Sequence, residues 1–176
     1  MPQQRSRAHP APVPTWRRAA GSFGVAALVL AVSGCSWFSS DPETPEPTSV
    51  SVFQVQPGQC FTAPGEIKAE LSDLSSVPCT QPHRQEAYAV VAYQAPDGVD
   101  GSLYPGDATL TSFAQGACAQ KFAGYVGVSY LDSSLYFTYL LPSARSWEQG
   151  DDRSVLCFVI STGTAELTAS AKGSKM

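Results

Sequence analysis

EAYAVVAY, residues 86–93, is the stretch that decides the fold, because it is a nearly continuous run of apolar and β-prone residues. Such a run predicts a strand at the centre of a sheet. Two later segments, LYFTYLL at 135–141 and SVLCFVI at 154–160, have the same character. VSVFQV at 50–55 alternates apolar and polar residues, so it predicts a first strand.

One helix is predicted between the strands at 86–93 and 135–141. The loop at 95–107 is rich in glycine, proline and aspartate, and we expect Asp107 to cap the helix that follows. Apolar residues then recur at steps of three and four, which marks one helix face, and they are Leu110, Phe113, Ala114, Ala117, Cys118, Phe122 and Tyr125. Gly124 and Gly127 are expected to end the helix. The order β-β-α-β-β predicts an α+β domain, in which one main helix covers one face of a small antiparallel sheet.

The N-terminal segment, residues 1–34, has the pattern of an export signal. A cationic stretch precedes the uncharged run AAGSFGVAALVLAVSG, which is shorter than the roughly 20 residues of a membrane-spanning helix. The motif Val32-Ser33-Gly34-Cys35 then resembles a bacterial lipobox, in which cleavage makes the cysteine the new N-terminus and acyl chains anchor it. Ordinary secretory cleavage near Gly34 is the alternative. We predict a lipoprotein signal peptide with lipid attachment at Cys35, on the extracytoplasmic face of the cell membrane.

A short tether is predicted over residues 35–49. This segment is rich in proline, acids and hydroxyls, so it cannot bury a core. The folded domain is then expected to occupy residues 50–176. All fifteen acidic residues but only seven of the eleven basic ones follow Cys35, and this acidic balance argues against a nucleic-acid partner.

Four cysteines remain in the predicted domain, and an exported domain permits disulfides. Four cysteines allow three connectivities. We favour Cys60–Cys79, which closes the loop between the first two strands, and Cys118–Cys157, which ties the apolar helix face to the last strand. The alternative is a Cys₄ metal site, but the sequence has no C-x-x-C spacing. We therefore expect two disulfides and neither a metal nor another cofactor.

The candidates for chemistry are few. His83 is the only histidine after Cys35, and Glu86 lies three residues further on. The two can form an acid/base or metal pair; a turn histidine bonded to the backbone or to Glu86 is the plainer alternative. No G-x-S-x-G motif and no glycine-rich phosphate loop is present, so we predict that the protein is not an enzyme.

The long turn at 142–153 holds further candidates for partner recognition. Trp147 is expected to cover the core or to form a ligand platform, and Tyr104 and Tyr130 in other loops can add to a binding surface. In the segment Asp151-Asp152-Arg153, we expect an aspartate to cap the turn and Arg153 to pair with an acid. Recognition of a partner by Asp151 and Arg153 is the alternative.

Four segments together resemble a known family. They are PGQCF at 57–61, VPCTQPHRQEAYAV at 77–90, CAQKFAGYVG at 118–127 and SWEQGDDRSVLCFV at 146–159. Their residues and order are similar to the septum formation domain of actinobacterial lipoproteins and membrane proteins, over roughly residues 57–173. The resemblance implies that the four cysteines are disulfide positions and that His83 and Trp147 are framework positions.

The sequence departs from the family pattern at two places. An extra aspartate makes the pair Asp151-Asp152, and Ala169 stands where glycine is usual in the tail. The resemblance implies a role in septum formation but no reaction. We predict a lipid-anchored, non-enzymatic interaction domain that contacts envelope or division proteins. The alternatives are a module that binds an envelope ligand, such as a peptidoglycan fragment, and a hydrolase.

Overall fold

The structure is a computed structural model that describes residues 45–63 and 70–176. These residues form six strands and two α-helices. These are β1 (Thr48–Ser51), β2 (Cys60–Phe61), β3 (Asp73–Val77), β4 (Gln85–Ala92), α1 (Asp107–Val126), β5 (Leu135–Leu140), α2 (Ala144–Gly150) and β6 (Ser154–Ser161). The predicted α+β class is confirmed, but the order of elements is longer than the predicted β-β-α-β-β.

The strands form one antiparallel sheet in the order β1-β3-β2-β4-β6-β5. The two eight-residue strands β4 and β6 lie at its centre, as their apolar runs predict. A bulge between Ala87 and Ala89 adds one residue to β4. Because of this extra residue, Tyr88 and Ala89 both contact the same core cluster, although successive strand residues normally face opposite sides.

Helix α1 covers one face of the sheet, as predicted. Its fully buried residues recur every four positions, and they are Leu110, Ala114, Cys118, Phe122 and Val126. Gly127 ends the helix with φ 97°, in the left-handed region that glycine adopts without strain. The prediction that Asp107 caps the helix is wrong, because Gly106 occupies the cap with φ 87° and makes no side-chain bond. Asp107 instead accepts a hydrogen bond from the Tyr104 hydroxyl.

Three local predictions need correction. The strand predicted at 50–55 ends at Ser51, because Val52–Gln54 forms a short 3-10 helix. Strands β2 and β3 were not predicted, since β2 has only two residues and β3, DLSSV, has little apolar character. Helix α2 lies inside the predicted turn at 142–153. A capping box starts it, in which Ser143 and Ser146 each bond the other's backbone N–H.

A second apolar cluster lies away from α1. It consists of Val55, Phe61, Leu74, Ala87, Leu156 and Phe158. The C-terminal tail packs on the domain too, because His83 and Leu167 exchange two backbone hydrogen bonds of 2.9 Å. Further along the tail, the N–H of Gly173 donates to Tyr125 O, beside the end of α1.

The N-terminal predictions fall mostly outside this description. The signal peptide at 1–34, Cys35 and the tether up to residue 44 lie outside the described residues. At the other end of the predicted tether, Thr48 and Ser49 already belong to β1, so the first strand starts two residues before the predicted domain boundary. None of the helices that the structure describes is long and apolar enough to cross a membrane.

Candidate functional site

Two disulfides join the four domain cysteines. Cys60 in β2 is bonded to Cys79, with a Cα–Cα distance of 5.2 Å. Cys118 on α1 is bonded to Cys157 on β6, with 5.6 Å between their Cα atoms. These are the two pairs that the sequence favours. The second links helix to sheet inside the core, where both cysteines are 0% exposed.

His83 is fully buried, two residues before β4 begins. Its Nδ1 lies 2.8 Å from Gln81 O, so the ring bonds the backbone and not Glu86. Its Nε2 has no hydrogen-bond partner among the described residues. Together with the backbone bridge to Leu167, this environment makes His83 a support for the turn and for the C-terminal tail.

Glu86 is the most unusual residue of the domain, because its carboxylate is 0% exposed. Oε1 accepts hydrogen bonds from the Tyr125 hydroxyl at 2.5 Å and from the Ser170 hydroxyl at 2.6 Å. Oε2 accepts from the backbone N–H of Ala171 at 2.6 Å. Burial raises the pKa of Tyr125 above its ordinary value, and the bond to Glu86 with its negative charge raises it further. The carboxylate thus joins β4, α1 and the tail.

A possible metal-ligand group also includes Glu86. One carboxylate oxygen and the sulfurs of Cys60 and Cys79 lie within 4.8 Å of one another. Zinc binds cysteine as a thiolate. Because these two sulfurs are bonded to each other, the donor set does not fit a metal while the disulfide is intact.

Trp147 is a core residue and not an exposed platform. It is 1% exposed, and its Nε1 donates to Ser102 O at 3.0 Å. The Arg153 guanidinium lies 3.8 Å from the centre of the ring, within cation–π range. Arg153 also donates to Trp147 O at 2.9 Å and forms an ion pair of 3.1 Å with Asp151. The predicted candidates Trp147, Asp151 and Arg153 therefore form one supporting cluster.

The extra aspartate has a place in this cluster. Asp151 ends α2 in the left-handed region, with φ 50°. Asp152 accepts from the Ser154 N–H at 2.9 Å and from the Ser146 hydroxyl at 3.1 Å. The pair of aspartates thus connects the end of α2 to the start of β6.

A large cleft, which sequence reasoning missed, opens on the sheet face that carries the second apolar cluster. Its volume is about 1160 Å³. Val90, Leu140 and Leu156 lie among its lining residues, with the segment around Phe53 and helix α2. Phe53 is exposed and lies in a segment that the sequence predicts as a strand, so no sequence pattern indicates the cleft. Arg145 on α2 and Glu70 also line it, and their charged groups lie 3.5 Å apart.

The predicted aromatic surface is not part of this cleft. Trp147, Tyr104 and Tyr130 are absent from the described lining. Tyr104 packs on the Trp147 ring, and burial, helped by its hydrogen bond to Asp107 and the charge there, raises its pKa to about 12. Tyr130 packs on Phe137, with 5.3 Å between the centres of the two rings.

Comparison with protein families identifies the domain. The Septum formation family model matches residues 57–175, which include all four bonded cysteines, Glu86 and Trp147. This chain belongs to the Septum formation family. No curated protein and no solved structure shows significant similarity to it. The Septum formation domain begins after β1 and the 3-10 helix, so one wall of the cleft comes partly from residues outside the family match. Its two disulfides are consistent with an extracytoplasmic location.

Proposed function

We propose that this protein is a lipid-anchored extracytoplasmic interaction protein that takes part in septum formation by contacting envelope or division proteins. The observation that carries the proposal is the match of residues 57–175 to the Septum formation family. The lipobox-like motif at Cys35 supports the anchor, and the two disulfides support a location outside the cytoplasm.

A role without catalysis is part of the same proposal. A general acid or base must come within hydrogen-bond reach of its substrate. His83 and Glu86 are both 0% exposed. Because their hydrogen bonds hold the turn and the tail, these residues support the fold in this proposal.

The cleft is the proposed contact site. Contiguous exposed apolar surface often marks an interaction site. Val90 is 41% and Phe53 is 64% exposed. The Arg145–Glu70 pair beside them is solvent-exposed, and such pairs contribute only about 0–1 kcal/mol, so an incoming partner can replace it.

Localisation during division tests the role. We expect a fluorescently tagged copy of the full chain to concentrate at septa, and a deletion strain to form misplaced or delayed septa. Uniform envelope fluorescence together with normal septa in the deletion strain would remove the division role.

The anchor has a separate test. Mass spectrometry of the mature protein is expected to find an acylated Cys35 at the N-terminus. Cys35→Ala should move the protein out of the membrane fraction. An unmodified Cys35, or a mature chain that starts elsewhere, contradicts the anchor and leaves the division role to be judged by localisation.

A module that binds an envelope ligand is the second candidate, and the cleft favours it. Its volume of about 1160 Å³ exceeds the roughly 300–1,000 Å³ of most small-molecule pockets, so it suits a larger ligand such as a peptidoglycan fragment.

Co-sedimentation with purified cell wall tests this function. Val90→Glu in the cleft should abolish binding, whereas Leu131→Glu, which changes an exposed residue that does not line the cleft, should preserve it. Equal loss in both variants, or no sedimentation of the wild type, argues against a cleft ligand.

A further inference from the structure

The Cys60–Cys79 disulfide lies beside a buried carboxylate. Both sulfurs are within 4.8 Å of a Glu86 carboxylate oxygen. The three donors to Glu86 are two hydroxyls and a backbone N–H, all of them uncharged. Among residues 45–63 and 70–176, no lysine or arginine forms a salt bridge with Glu86. The Glu86 carboxylate, which has no cationic partner among these residues, therefore lies next to the sulfurs.

The two disulfides differ in their access to solvent. Cys118 and Cys157 are both 0% exposed, and Cys60 is 1% exposed. Cys79 is the exception, because it is only half-buried. An external thiol therefore reaches the domain's disulfides first at Cys79.

Thiol–disulfide exchange at Cys79 creates a second negative charge. An external thiolate attacks Cys79 Sγ and forms a new S–S bond with it, while the Cys60–Cys79 bond breaks and its electron pair leaves with Cys60 as a thiolate. A second thiol of the reductant then releases Cys79, so the disulfide is reduced and the external dithiol is oxidised. In the first step the new Cys60 thiolate lies near the Glu86 carboxylate. Like charges at this separation repel strongly where water is excluded.

We propose that Glu86 protects the Cys60–Cys79 disulfide electrostatically: by opposing the thiolate that leaves at Cys60, it slows attack by external thiols at Cys79. The proposal does not depend on the function of the cleft. It gives the buried carboxylate a role beyond joining strand, helix and tail, and it assigns the reactive sulfur of the domain to Cys79.

Reduction kinetics of the full chain test the proposal. Dithiothreitol is the external dithiol, and alkylation followed by mass spectrometry reports each disulfide separately. Glu86→Gln removes the charge and keeps the size, and we expect it to speed reduction of Cys60–Cys79 at least tenfold. The rate at Cys118–Cys157 should not change, and this disulfide is an internal reporter of global opening.

Ser170→Ala is the matched control. It removes one hydrogen bond to Glu86 and loosens the tail but preserves the charge, so we expect less than a threefold change at Cys60–Cys79. Three outcomes overturn the proposal: an unchanged rate in Glu86→Gln, equal acceleration of both disulfides, or an acceleration in Ser170→Ala as large as that in Glu86→Gln.

A second measurement applies if Glu86→Gln does not fold. In Cys79→Ser the Cys60 thiol, which is the leaving group of the proposed step, is free beside the intact carboxylate, and its ultraviolet thiolate absorbance can be titrated. The same repulsion should hold its pKa at least one unit above the ordinary value of about 8.5. A pKa at or below the ordinary value overturns the proposal.

Discussion

Removal of the Cys118–Cys157 disulfide is expected to lower the free energy of unfolding by about 4 kcal/mol. The paired change Cys118→Ala with Cys157→Ala removes a cross-link between α1 and β6 that closes a loop of 39 residues. In the chain-entropy model, a cross-link that closes a loop of this length removes conformational entropy from the unfolded chain, which raises the free energy of unfolding by about 3.9 kcal/mol at 25 °C. The lost sulfur packing adds to this cost, because both residues are 0% exposed.

Such a loss is large relative to the roughly 5–15 kcal/mol by which domains are stable. Urea unfolding followed by circular dichroism measures it, with thermal unfolding as a second readout. We expect the midpoint temperature to fall by about 10–20 °C. The m-value should rise, because an unfolded chain without the cross-link exposes more surface.

The paired Cys60→Ala and Cys79→Ala variant is the matched control. Its disulfide closes a loop of 19 residues, and the same chain-entropy model gives a loss of about 3.2 kcal/mol in the free energy of unfolding. Both variants should therefore be destabilised by similar amounts. A loss below about 1 kcal/mol in the Cys118/Cys157 variant, with an unchanged m-value, would refute the loop-closure reasoning.

Three further predictions concern α1, the tyrosines and the Trp147 cluster. Gly127→Ala should lower the free energy of unfolding, measured in urea, by about 1 kcal/mol, because it places a side chain at φ 97°. Gly116→Ala, within α1, should raise it by about 0.5–1 kcal/mol, and equal effects of the two variants would contradict this reasoning. Because the pKa of Tyr104 is raised to about 12, this residue contributes stability to the folded state that is fully present below pH 10 and is lost as the pH rises through 12. Ultraviolet titration should find Tyr104 still protonated at a pH at which ordinary tyrosines have ionised. Arg153→Met removes the cation that stacks on Trp147 and its hydrogen bonds to carbonyl oxygens. It should lower the free energy of unfolding by about 1–3 kcal/mol and change the Trp147 fluorescence. An unchanged spectrum and an unchanged stability would contradict a supporting role of Arg153.

The parts of the fold that the sequence predicts are those with a strong local pattern. The strand at β4 and the helix α1 each have enough apolar residues at the right period to be recognised alone. Strands β2 and β3 do not, because they are short or polar and exist through pairing with distant partners. Helix α2 was missed because its signal is a pair of serines in a capping box, within a segment that looks like a turn.

The candidate site divides in the same way. His83, Glu86 and Trp147 are recognisable as candidates from their residue types, but their burial is not visible in the sequence. Three donors surround the Glu86 carboxylate, and two of them come from the tail more than eighty residues away. The cleft has no motif at all, since its walls come from the 3-10 segment, β5, β6 and α2.

The sequence by itself determined the α+β class, the main helix and its buried face, and the central strands, because these follow from local periodicity and residue chemistry. For the cysteines it favoured one of three connectivities, and the structure contains that one. Only the tertiary structure decided that Glu86 lies beside the Cys60–Cys79 disulfide, that Trp147 belongs to the core, and that an apolar cleft opens on the sheet. Each of these depends on contacts between segments far apart in the chain, and burial, charge proximity and cavity shape arise only when such segments meet.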